Sequence, residues 1–92
     1  LRAHAYVGLA RNAEARGDET AALRYYMSVG ILFDDPVLVP EALHKSAALL
    51  DKAGRADEAQ AIREELKTRY PASPFATQRQ TGAIFKVRKG YA

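Results

Sequence analysis

The sequence predicts an all-α protein of stacked helical hairpins, on three observations. One phrase occurs twice, as Gly17-Asp18-Glu19-Thr20-Ala21-Ala22 and as Gly54-Arg55-Ala56-Asp57-Glu58-Ala59, with the glycines 37 residues apart and an alanine five positions after each. Apolar residues on both sides of each glycine recur at three- and four-residue steps, the period of one helix face. Pro36 and Pro71 stand where those stretches end, and Pro40 and Pro74 stand where new ones begin, the positions at which proline is compatible with helices. Repetition at this period marks units that bury a core by stacking, which presents a surface for a partner rather than a single catalytic cleft.

The first helix runs from Ala3 to Arg16, with Ala3, Tyr6, Leu9, Ala10 and Ala13 on its packing face, and Gly17 ends it. Asp18 or Glu19 caps the second helix and suits its positive N-terminal end. Ala22, Tyr25, Tyr26, Val29 and Phe33 form its apolar stripe. Tyr25-Tyr26-Met27 reads as core at helical spacing rather than as an aromatic platform, with Tyr25 or Met27 partly exposed. Asp34-Asp35-Pro36 breaks the helix, because proline disfavours a helical residue before it. Val37, Leu38 and Val39 are expected to pack under the junction. Pro40 then opens a third helix with Leu43, Ala47, Leu50 and Ala53 inward, and Gly54 stops it. The fourth helix spans about Asp57 to Arg69 with Ala59, Ile62 and Leu66 inward. Its acids Asp57 and Glu58 lie at the start and its bases Lys67 and Arg69 at the end, as the helix dipole favours. Pro71 closes it. Ser73 as cap and Pro74 as first residue start a fifth helix, over about 73–88, in which no third copy of the glycine–alanine phrase follows.

Ninety-two residues make one small domain, whose thin core buries about 60–65% of the unfolded surface. The absence of cysteine excludes disulfides, thiol nucleophiles and cysteine-based metal sites. No apolar run reaches the roughly 18 residues that span a bilayer. The chain starts at Leu1, so it reads as a piece of a longer protein. The net charge of +3 is uneven: acids and bases nearly balance up to residue 71, whereas beyond it stand Arg79, Lys86, Arg88 and Lys89 with no acid.

At this point the residues resemble the tetratricopeptide repeat, a unit of two helices with a turn glycine and small residues where the helices touch. The first repeat, about 3–36, carries the resemblance at Tyr6, Leu9, Ala10, Gly17, Ala22, Tyr26 and Val29, and the second, about 40–71, at Leu43, Ala47, Gly54, Ala59, Leu66 and Pro71. The copies depart from the pattern at Val29, Ser46, Arg63 and Leu66, and Pro36 arrives two places late. The resemblance implies a right-handed α-α superhelix of two hairpins closed by a capping helix or partial repeat, and a non-catalytic scaffold for protein–protein interaction. The phrase Arg69-Tyr70-Pro71-Ala72-Ser73-Pro74-Phe75-Ala76 is also similar to a junction in bacterial envelope members of the family. That likeness tilts the expected location toward the periplasm or cell envelope.

In such a superhelix the first helix of each hairpin lines the concave side. The residues expected to face a protein or peptide partner there are His4, Val7, Arg11 and Glu14 from one helix, and Glu41, His44, Lys45, Ala48 and Lys52 from the next. Arg11, Lys45 and Lys52 could receive an acidic segment or a terminal carboxylate. Gly8 and Ala48 stand where a carboxylate clamp would want polar groups. No catalytic, cofactor or metal site is expected. Ser28 lies on a helix and Ser73 is a cap, His4 and His44 lack paired ligands, and Asp34-Asp35 lacks the alternation of a calcium loop. The mixed basic and aromatic tail, Phe85 to Tyr91, carries the alternative reading, binding to nucleic acid or an anionic surface. So short a stretch neutralises few phosphates, which makes nucleic acid the disfavoured partner. With fewer than three full repeats, apolar surface at one end is expected to be covered by missing repeats or by a second copy.

Overall fold

A computed structural model describes residues 2–76. Within them stand four helices, α1 (Ala3–Ala15), α2 (Glu19–Leu32), α3 (Leu38–Lys52) and α4 (Ala56–Arg69), and no strand. Turns this short make consecutive helices antiparallel neighbours.

The doubled phrase closes both hairpins with one device. Gly17, at φ +78°, donates from its N–H to the Glu14 carbonyl at 3.0 Å, and the Asp18 N–H reaches back to Ala13 at 2.8 Å. Gly54, at φ +79°, repeats this, donating to Asp51 at 3.0 Å while the Arg55 N–H reaches Leu50 at 2.8 Å. These are the paired bonds of a left-handed helix terminus, which a Cβ resists and glycine accepts. Five residues on, Ala22 and Ala59 are completely buried, because only a small side chain lets the returning helix approach so closely. Asp18 caps α2, its Oδ1 accepting from the Ala21 N–H at 3.1 Å. Arg55 has no such cap to offer. Its guanidinium instead bonds both oxygens of Glu58, at 2.8 and 2.6 Å.

Packing rotates α1 slightly from the sequence expectation. Its buried residues are Ala3, Val7, Ala10 and Ala13, so Val7, expected in the groove, is core at 3% exposure, and Leu9, expected in the core, is 37% exposed. The large ring of Tyr6 explains the turn. It sits beside Tyr25 and Phe33 at ring separations of 6.5 and 5.9 Å, which places the mid-line of the face between residues 6 and 7. Tyr26 and Val29 are fully buried from α2.

The junction also differs from expectation. Asp35, in the connector between α2 and α3, also caps: its Oδ1 accepts from the N–H groups of Val37 and Leu38 at 2.8 and 2.9 Å. The cap starts α3 two residues before Pro40, which becomes its third residue and is buried. Leu38 and Val39 pack inward as expected, but Val37 is 71% exposed, since capping geometry turns the residue outside the helix away from the core. Ala53, expected inward, is exposed because it lies at the C-cap beside Gly54. Ser46 is fully buried, and its hydroxyl has no hydrogen-bond partner among the described residues.

Arg69 ties the two hairpins together. Its guanidinium donates to the Gly30 carbonyl at 3.0 Å and the Phe33 carbonyl at 3.4 Å, and pairs with Asp34 at 3.0 Å and Glu65 at 2.9 Å. Carbonyls in the last turn of a helix have no partner within it; a side chain from the end of α4 satisfies those of α2. The ring of Tyr70 lies 5.3 Å from the same guanidinium. After Pro71, Ser73 accepts from the Phe75 N–H at 3.1 Å, the expected cap, and residues 74–76 form a helical turn. The remainder of the expected fifth helix, and the tail from Arg79 to Tyr91, lie outside the described residues.

Candidate functional site

Eight of the nine groove candidates keep some exposure: His4, Arg11, Ala48 and Lys52 are open, while Glu14, Glu41, His44 and Lys45 are half-buried. Only Val7 is lost to the core. The structure brings the backbones of α1 and α3 close together, whereas α2 and α4 meet through side chains such as Arg69 on the Gly30 carbonyl. The first helices of the two hairpins therefore stand side by side, with the predicted residues along the strip between them.

The charges on this strip are already paired. Arg11 meets Glu41 at 2.7 Å, the Lys45 ammonium lies 4.0 Å from Glu14, and Lys52 bonds Glu19. Hydrogen bonding and attraction from Glu41 hold the Arg11 guanidinium above its ordinary value, and Glu19 does the same for Lys52. Each of the three cations offered to an acidic partner thus has an acid of its own. Glu14 is further fixed by the Tyr26 hydroxyl, which donates to it at 2.7 Å. Burial, with that carboxylate beside it, pushes the Tyr26 phenol up, so Tyr26 holds its proton and orients Glu14 at neutral pH. Such exposed pairs contribute little to stability, so a partner can exchange them.

His44 is placed differently from the rest. Its ring lies 5.1 Å from Phe75, so the turn after Ser73 shelters it. Burial lowers its pKa, reinforced by Lys45 and Arg63 and opposed by Glu41; a neutral imidazole results. His4 and His44 share no ligand set, and among the described residues no three His, Asp or Glu side chains gather so as to hold a metal ion. No described helix is long and apolar enough to cross a membrane.

Sequence reasoning missed the partners of these residues: Glu19 for Lys52, Tyr26 for Glu14, and Asp51 for Arg63. The last two each lie within one hairpin, 12 residues apart, where spacing about a known turn could have suggested them; Lys52 and Glu19 lie in different hairpins, 33 residues apart. No protein-family model, curated protein or solved structure matches this chain.

Proposed function

We propose that the chain is a non-catalytic protein-interaction module of tetratricopeptide-like, right-handed superhelical form, which takes a peptide or protein segment along the strip formed by α1 and α3. The observation that carries this reading is the approach of the α1 and α3 backbones while those of α2 and α4 stay apart. An arrangement in which one row of helices is closer than the other curves, and the closer row lines its hollow. Two identical glycine closures, at Gly17 and Gly54, support it by making both hairpins the same unit.

Pairing within the strip refines the partner. Lone cations would favour a purely acidic peptide, but Arg11–Glu41, Lys45–Glu14 and Lys52–Glu19 make a neutral ladder. The partner that fits is a segment carrying both acids and bases, whose charges replace those across the strip, with a small or apolar residue over exposed Ala48. A displayed library of short peptides, selected on the wild-type chain, tests this. Ala48→Arg and Lys45→Glu should each weaken selected peptides at least tenfold, while Thr68→Arg on α4 leaves them unchanged. Peptides that bind all three variants equally would remove the strip from the function.

A further inference from the structure

The gap between α2 and α4 holds an apolar cleft of about 310 Å³ that the interaction strip does not use. Leu23 and Met27 of α2 form one wall, Ala61 and Ile62 of α4 the other, Leu50 of α3 the floor, and Arg55 and Glu58 the rim. The apolar wall continues along α2, because Ile31 follows Met27 by one turn on the same face and is 73% exposed. Clefts of a few hundred cubic ångströms with apolar lining and few polar groups are of the size that takes bulky apolar groups.

The surroundings of the cleft are acidic on the α4 side. Ala61 is exposed and is flanked three and four positions away by Asp57, Glu58, Glu64 and Glu65, all exposed, so the four carboxylates surround it on one helix face. Arg55 occupies Glu58 and Arg69 occupies Glu65, and Glu64 accepts from Gln60 at 2.9 Å. The face keeps an acidic excess.

The geometry points to residues 84–89 of this same chain, Ile-Phe-Lys-Val-Arg-Lys, as the occupant of the α2–α4 cleft, with Phe85 as its apolar anchor and Lys86, Arg88 and Lys89 against the carboxylates around Ala61. Charge complementarity carries the choice, for beyond residue 71 the chain has four bases and no acid. The docking requires residues 77–85 to be extended rather than a continued helix: the nine residues from Ala76 to Phe85 span at most about 30 Å when extended, against about 21 Å for the whole length of α4, with its 14 residues. Tethering supplies a local concentration in the millimolar range, so a shallow cleft suffices. The bases that would otherwise serve an anionic surface are then held on the protein.

Met27 is the only methionine in the chain and lines the cleft, so its methyl group is a single reporter. The 92-residue protein labelled with [13C-methyl]methionine should show contacts from aromatic ring protons to the Met27 methyl. Phe85→Ala should abolish those contacts and move the methyl resonance, with helical content unchanged by circular dichroism. Asp57→Lys with Glu64→Lys, or high salt, should move the resonance toward its position in Phe85→Ala. A Met27 resonance indifferent to Phe85→Ala would overturn the proposal. So would a shift that persists in Phe85→Ala and grows with protein concentration, which would assign the cleft to a second copy.

Discussion

Gly30 of α2 tests whether the two hairpins meet as closely as the structure has them. A Cβ at this position would stand 2.7 Å from Cδ2 of Leu43 on α3, inside any real carbon–carbon contact. Leu43 is 2% exposed, so its methyl can move aside only among other core side chains and not into solvent. Gly30→Ala sets two effects against each other: removing a glycine from a helix interior gains roughly 0.5–1 kcal/mol, while adding a methyl to a filled core costs typically about 1–3 kcal/mol. The clash should win by about 1 kcal/mol, which for a domain of this size lowers Tm by roughly 4–8 °C. Gly8 on α1 is the control, since a Cβ there meets nothing within 4 Å. Gly8→Ala should stabilise by about 0.5–1 kcal/mol. Urea unfolding followed by circular dichroism compares them at constant m value. A double variant, Gly30→Ala with Leu43→Ala, should be less destabilised than the sum of its parts by at least about 0.5 kcal/mol, because trimming Leu43 makes room for the new methyl. If Gly30→Ala proves as stabilising as Gly8→Ala, α2 and α3 are not in contact as described.

Other perturbations test single features. Ser46→Ala removes a buried hydroxyl without a described partner; such a group carries a penalty of about 1–3 kcal/mol, so the variant should unfold at equal or higher urea, and a clear loss of stability would show a hidden partner. Arg69→Ala strips the carbonyls of Gly30 and Phe33 of their donor and should cost about 1–2 kcal/mol, with faster amide exchange at the end of α2. Arg69→Lys, lacking the fork, should recover less than half of that, and full recovery would reduce Arg69 to a point charge. His44 has a folded-state pKa below its ordinary value of 6.5. The unfolded chain therefore takes up the proton first, and this contribution to stability is complete above about pH 6.5 and lost as pH falls through the folded value. Proton NMR of the imidazole should give a midpoint below that of a free histidine, and Phe75→Ala should bring it back up; a midpoint at or above the ordinary value would contradict the sheltered ring.

Local chemistry was legible from the chain alone. Both glycine closures, the Asp18 and Ser73 caps, and the buried alanines Ala22 and Ala59 follow from short-range rules that act within one turn. The positions of four helices followed with them, to within two residues at the start of α3. That slip came from Asp35, whose cap competes with Pro40 to start the helix, and the backbone geometry decides between them.

What the sequence by itself determined is the all-helical hairpin pattern, because period and turn residues are properties of neighbours in the chain. Only the tertiary structure decided the rotation of α1 that buries Val7 and exposes Leu9, for the Tyr6 ring takes its place against Tyr25 on α2 and Phe33 just beyond its end. It alone paired Arg11 with Glu41, 30 residues away, and Arg69 with Gly30, 39 residues away. Contacts at such separations depend on how helices are offset in space, which no local rule predicts.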